Sequence, residues 1–173
     1  MGRPGSFGEE ILVIGILSSD KEKEAACLLA LEKEYGIPEN LTAGEAFLWT
    51  DYYVPEMGQP IWRRYLQFRD FVDPTRLAGI KTRTNELEAG FSDAGKRKIN
   101  LDPGLLAPGR FVLATTKDRA HRIALAEGIY AELTLIYEKG EFRALPWTYP
   151  DWASEPVRTM LAGWRKRLFI PRS

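Results

Sequence analysis

The alternation and clustering of apolar residues along the chain assigns most of its elements. Residues 10–17, Glu-Ile-Leu-Val-Ile-Gly-Ile-Leu, form a nearly unbroken apolar run with polar neighbours, the signature of a central strand covered on both faces. Ser19-Asp20-Lys21-Glu22 reads as a capping box that opens a helix through Tyr35, and Gly36 with Pro38 closes it. Residues 46–53 alternate, with Phe47, Trp49, Asp51 and Tyr53 on one face. After the turn signals Pro55, Gly58 and Pro60, residues 61–68 form a second strand that groups Trp62, Arg64, Leu66 and Phe68. Each aromatic face carries one charge, so Asp51 and Arg64 are expected to meet each other or a ligand, with a register-fixing ion pair or exposure at the sheet edge as the plainer outcomes.

Asp73-Pro74 is an N-cap followed by a proline at the first helical position, and Leu77, Ile80, Thr84 and Leu87 continue a helical stripe. Lys81, Asn85 and Glu88 fall on its border, where a solvated rim competes with a set turned toward the sheet. Residues 98–102 alternate as a short strand, with Ile99 and Leu101 on one face and Lys98, Asn100 and Asp102 on the other, and Pro103-Gly104 is expected to end it. Residues 105–116 fit either a buried strand or a short helix. Residues 128–137 read as a strand, Lys139-Gly140 as a hairpin turn and residues 142–145 as its partner. Ser154 then caps a closing helix with the stripe Val157, Met160, Leu161, Trp164 and Leu168.

The order strand, helix, strand, strand, helix, strand predicts an α+β fold with a ferredoxin-like βαββαβ core and a mainly antiparallel sheet, extended by a C-terminal hairpin and a closing helix. Two consecutive strands in residues 46–68, with no crossover helix between them, argue against a doubly wound sheet. With 173 residues, 45% of them hydrophobic, the chain suits one domain, expected over residues 10–173 behind a disordered leader at 1–9.

Charge changes the picture little. Lys plus Arg and Asp plus Glu number 24 each, so composition supplies no general pull toward nucleic acid or anionic lipid. No apolar run reaches the roughly 20 residues needed to span a bilayer. The single cysteine, Cys27, sits in an apolar run, where a small buried residue is the simple reading. A reducing cytoplasm is the expected location.

Polar chemistry concentrates between Lys96 and Glu132, which includes the chain's one histidine. The expectation is a cleft lined by Asn100, Asp102, Lys117, His121, Arg122 and Glu132, with a closed salt-bridge network as its rival. In the first case Arg64, Lys117 and Arg122 would clamp an anion, His121 would act as general acid or base, and Asp102 with Glu132 would accept protons or bind a divalent metal such as Mg2+. Asp51, Asn85 and Glu88 join the set as ligand-binding candidates. Residues 90–97 match G-x-x-x-x-G-K, but arginine stands where a phosphate loop has its magnesium-binding Ser or Thr, and the segment follows a helix instead of opening one. Thr116-Lys117-Asp118-Arg119 likewise lacks the last residue of the guanine-reading pattern.

The motifs Thr50-Asp51-Tyr52-Tyr53, Glu56-Met57-Gly58, Lys96-Arg97-Lys98-Ile99-Asn100-Leu101-Asp102-Pro103-Gly104, Ala114-Thr115-Thr116-Lys117, His121-Arg122 and Leu145-Pro146-Trp147-Thr148-Tyr149-Pro150-Asp151 together resemble the DUF4416 family, a bacterial domain of unknown function. The resemblance spans nearly the whole chain and implies no reaction. Members are sometimes labelled GTP-binding, a label that residues 90–97 do not support. The functional expectation is therefore a small-molecule enzyme or ligand-binding domain for an anionic, phosphorylated or nucleotide-like compound. The alternative is a non-catalytic module for RNA or a protein partner, with Trp49, Tyr53, Trp62 and Tyr65 as stacking surfaces.

Overall fold

A computed structural model describes residues 2–170; Met1 of the expected leader and residues 171–173 of the expected domain lie outside the described residues. The apolar run forms β1 (Glu10–Ser18), buried along its entire length. It lies between β4 (Trp62–Val72) and β5 (Ile99–Ala107), antiparallel to both. Beyond β4 come β2 (Pro38–Leu41) and the two-residue β3 (Glu45–Ala46). Beyond β5 lie β6 (Arg110–Thr115) and β8 (Ile129–Glu138), and β8 is flanked by β7 (Arg122–Ala126) and β9 (Glu141–Ala144). The nine strands of the described residues thus form one antiparallel sheet. The fold is α+β, as the residue pattern predicts.

Two helices cover one face. In α1 (Lys21–Tyr35) the Asp20 side chain, one residue beyond the expected Ser19, accepts from the backbone N–H groups of Glu22 and Lys23. In α3 (Leu77–Gly90) a 3-10 turn at Pro74–Arg76, capped by Asp73, leads the helix in. Cys27 and Leu31 of the first and Leu77 and Ile80 of the second pack on Leu12, Ile14, Ile16, Leu66 and Leu101. The opposite face is covered at one end by α4 (Pro150–Ala153) and α5 (Glu155–Arg165), whose Trp152, Val157 and Leu161 meet Ile11, Val13, Tyr65 and Phe111. At its other end α2 (Val54–Met57) brings Met57, Val54 and Tyr53 onto Leu17 and Ile61.

Three expectations are corrected. The strand expected at residues 46–53 stops after Ala46, because Phe47 and Tyr53 leave the sheet to pack on Leu17, Met57 and Ile61. That departure leaves Asp51 exposed in a loop. Arg64 points to the α1 face beside Leu66 and Phe68, where it pairs with Glu24 and donates to the Thr42 carbonyl at 3.0 Å. Asp51 and Arg64 are therefore not partners. The third correction concerns Pro103-Gly104, which lies inside β5, not at its end. Residues 105–116 resolve as the end of β5, a turn at Pro108-Gly109, and β6.

Candidate functional site

The sheet is not continuous. β5 pairs with β6 only from Gly104 to Ala107, and toward Ile99 the two strands diverge. Leu101 hydrogen-bonds β1 through its neighbours, so its own N–H and C=O face the gap. Side chains of α3 take the place of the missing strand: Glu88 Oε1 accepts from the Leu101 N–H at 2.8 Å and Lys81 Nζ donates to its carbonyl at 2.8 Å. Both side chains are buried and lie 3.5 Å apart. By the same alternation Pro103 turns its hydrogen-free nitrogen to the gap, so a proline costs this strand no ladder bond. Gly104 is required where the strands rejoin, because a Cβ there would lie 2.6 Å from the Val112 carbonyl oxygen and 2.7 Å from the Phe111 ring.

A cavity of about 540 Å³ occupies the gap. Its base is Lys81, Asn85 and Glu88; its sides are Asn100 and Asp102 of β5 and Leu113 to Thr115 of β6 with Glu132 of β8; its outer wall is Phe47, Trp49, Tyr52 and Tyr53 with Tyr149 to Trp152. This volume suits a small organic ligand.

On one side stands Arg63, only 5% exposed. Its Nη1 donates to Asp102 at 2.8 Å and its Nη2 pairs with Asp151 at 2.7 Å, while the guanidinium lies 4.9 Å from the Tyr65 ring and 5.1 Å from that of Trp152. Gly15 leaves room for this stack, since a Cβ there would come within 2.7 Å of Trp152 and 2.8 Å of Arg63. The two acids differ. Burial pushes the Asp151 carboxyl above its ordinary range, with Arg63 opposing and Asp102 adding to the rise. Burial acts on Asp102 too, but Arg63, Lys81 and hydrogen bonds from Arg63 and Asn100 outweigh it and hold that carboxyl low. Asn100 links this cluster to Arg97, donating to Asp102 at 3.0 Å and accepting from Arg97 at 2.9 Å. Arg97 forks onto Glu56 at 2.7 and 2.8 Å and also reaches Glu88 at 3.0 Å.

On the other side Glu132, 1% exposed, accepts at Oε2 from Arg122 at 2.7 Å and contacts His121 Nε2 at 3.1 Å. Arg122 also donates to the Lys117 carbonyl at 2.8 Å and the Tyr149 hydroxyl at 3.2 Å. His121 stacks on Trp147, ring centroids 4.8 Å apart, behind Glu132 and outside the cavity lining. Glu132 Oε1 is buried with no hydrogen-bond partner. At the rim the exposed Lys117 donates to the Tyr52 hydroxyl at 3.3 Å and lies 4.7 Å from the Tyr52 ring centroid.

Of the residues singled out in the sequence, Asn85, Glu88, Asn100, Asp102, Lys117, Arg122 and Glu132 line this one cavity, whereas Asp51, Arg64 and His121 do not. Arg63, Arg97, Tyr149 and Asp151 enter from the structure. Alternation from Leu66 and Phe68 would have found Arg63, since it puts Arg63 and Arg64 on opposite faces. Among the described residues no group of three or more His, Cys, Asp or Glu is placed to hold a metal ion. No described helix is long and apolar enough to cross a membrane.

The family model described as a domain of unknown function (DUF4416) matches residues 9–168, and the chain belongs to that family. No curated protein matches it, and no solved structure does.

Proposed function

We propose that the cavity between β5 and β6 binds a small anionic compound, phosphorylated or nucleotide-like, as the working site of an enzyme or ligand-binding domain. One observation carries this reading: every other cation lining the cavity has a carboxylate partner, and Lys117 has none among the described residues. An anion at the rim would complete it. Arg122, with its donors directed to Glu132, Lys117 and Tyr149, holds the wall in shape and is not the clamp itself. For chemistry, the Asp102 and Asp151 carboxyls that share Arg63 are the stronger proton-transfer pair, because their surroundings push them in opposite directions. Asp102 then serves as the fixed charge and Asp151 as the proton carrier.

The reading as an RNA-stacking module has less support. Tyr65 is 7% exposed under Trp152 and Trp62 lies on the opposite side of β4, so the four candidate aromatics share no open platform. A ferredoxin-like core remains the proposed fold reading, supported by the order β2-β4-β1-β5 with α1 and α3 on one face. A reducing compartment is supported by the one cysteine, buried in the core.

The test is a thermal-shift screen of inorganic phosphate, sugar phosphates, nucleotides and small carboxylates, repeated on Lys117→Ala. A ligand at a hundredfold excess over its Kd adds about 2.7 kcal/mol, or roughly 5–11 °C for a domain of this size. The reading predicts at least one such shift, lost in the variant. No shift from any anion, or shifts that ignore Lys117→Ala, would refute it.

A further inference from the structure

The cavity is electrically lopsided. Its outer end carries Lys117, whose ammonium reaches the Tyr52 hydroxyl and ring but has no carboxylate partner among the described residues, and its interior carries a buried carboxylate oxygen with no donor, Glu132 Oε1. Glu132 Oε1 is buried and unpartnered while Oε2 is taken by Arg122 and His121. Across the cavity the Arg63 guanidinium serves two carboxylates, Asp102 and Asp151; Lys81 also acts on Asp102, and Arg63 Nε is itself a buried donor with no acceptor. A solvent-excluded acceptor with no donor is costly unless something fills the space beside it. Tyr53, which lines the cavity, adds a ring of the kind that attracts cations.

We propose that the ligand is dipolar: a nitrogen cation seated in the interior against Glu132 and Asp151, and a carboxylate or phosphate at the rim on Lys117, joined by an apolar or ring-bearing body. This rests on the reading of the cavity as an anion site and narrows it to an amino-acid-like or amino-phosphate compound. An ammonium or amidinium supplies several donors in one group, enough for the lone Glu132 oxygen and for the Asp151 carboxylate that shares Arg63 with Asp102. A metal ion would need a convergent set of hard ligands, and the described residues offer no group of three acidic, His or Cys side chains for one. Charge separation in the ligand, negative outward and positive inward, matches the field of the site in both halves and fixes its orientation.

The experiment compares matched probes on the full chain by thermal shift and calorimetry. L-phenylalanine and phosphoethanolamine represent the two anion types. Their N-acetyl forms, 3-phenylpropionate, phenethylamine, inorganic phosphate and MgCl2 alone each remove or replace one feature. The expected result is that at least one dipolar probe binds, that its N-acetyl or deamino counterpart binds at least about tenfold more weakly, equivalent to 1.4 kcal/mol, and that Lys117→Ala weakens it. Glu132→Gln should weaken the dipolar probe more than it weakens 3-phenylpropionate or phosphate. Should that buried variant not fold, the probe pairs on the parent and the exposed Lys117→Ala decide the matter. Equal affinity for amino and deamino probes would overturn this inference and leave the anion site standing. Phenethylamine binding that ignores Lys117→Ala, with no anion bound, would overturn the anion reading as well. MgCl2 stabilisation abolished by Glu132→Gln would overturn the inference in favour of a metal, and silence from the whole panel would overturn the inference, while the anion reading falls only if the sugar phosphates and nucleotides of the wider screen are silent too.

Discussion

Replacing Arg63 tests how the cavity is held together. The side chain is 5% exposed and bridges Asp102 at 2.8 Å and Asp151 at 2.7 Å. Arg63→Ala removes the one cation that both acids contact and leaves two carboxylates facing each other in a cavity wall. Breaking a buried pair by removing one partner costs about 3–5 kcal/mol, most of it the stranded charge and not the lost attraction. At roughly 2–4 °C per kcal/mol for a domain of this size, the transition should fall by about 6–20 °C. Two controls separate charge from volume. Arg63→Met combined with Asp102→Asn and Asp151→Asn removes all three charges and should recover most of the loss, since a matched neutral set is often no worse than a buried ionic one. The penalty of Arg63→Ala should also shrink as pH falls: without the guanidinium the folded-state carboxyl pKa values rise above their unfolded ones, which favours folding at low pH and disfavours it as pH rises through them. The assay is urea unfolding at pH 4 and pH 7 on the parent and both variants. A loss below about 1 kcal/mol at pH 7, or a loss that does not change with pH, would refute the reasoning.

Single replacements of the two acids should give opposite pH slopes. Asp102, held low, stabilises the fold above its unfolded pKa, so the deficit of Asp102→Asn should grow from pH 3 to pH 7. Asp151, pushed up, favours the fold at low pH and loses that contribution as pH rises through its folded pKa, so Asp151→Asn should gain on the parent over the same interval; parallel curves in urea titrations would contradict both. Gly104→Ala should cost about 1–3 kcal/mol as an overpacked site, because its Cβ would meet the Val112 carbonyl at 2.6 Å; a neutral result in chemical denaturation would show that β5 and β6 can separate there. Glu88→Ala should speed amide exchange at Leu101, whose N–H it accepts at 2.8 Å, and unchanged protection by NMR would mean another acceptor takes over. GTP should not bind through residues 90–97, where Arg97 is already engaged by Glu56, Glu88 and Asn100; magnesium-dependent binding lost in Lys96→Ala would show the opposite.

How far the residues themselves foretell the structure depends on whether a signal is periodic. The buried run of β1, the hairpin of β8 and β9 through Lys139-Gly140, the cap and stop of α1, and the stripes of α3 and α5 are local patterns, and the elements follow them. The segment after Ala46 misleads because alternation of Phe47, Trp49, Asp51 and Tyr53 describes a strand only if a sheet edge is free to receive it. Here β4 begins at Trp62, opposite Ala46, so after one further bond from the Phe47 N–H to the Ile61 carbonyl the antiparallel pairing has no strand left to continue on. The pairing of Asp51 with Arg64 fails for the same reason. β7 carries little burial of its own, with Ile123 72% exposed, so no apolar face announces it.

The cavity itself was half legible, and the missing half explains why it exists. Lys81 and Glu88 lie seven residues apart on one helical face, two turns, at the border of the apolar stripe, where a long polar side chain reaches either water or the sheet. Which of the two it does depends on whether the sheet leaves backbone groups unpaired. A strand with proline at 103 cannot donate there, and a glycine at 104 is where a neighbouring backbone can approach most closely. Together they describe a strand that joins its neighbour on one side of Gly104 and is free of it on the other. The freed N–H and C=O of Leu101 need partners, and the Lys81 and Glu88 pair supplies one of each. The gap is thus built into β5 and α3 together, and polar groups from β4, β6, β7, β8 and the segments at 50–53, 97 and 149–151 converge on it because the backbone there does not fill the space between the strands. This also makes the site testable as a unit: closing the gap by Lys81→Leu with Glu88→Leu should leave the Leu101 backbone groups unpaired, destabilise the fold by about 1–3 kcal/mol per group, and abolish any ligand-induced thermal shift. A double variant that is as stable as the parent and still binds would mean that α3 does not hold the cavity open.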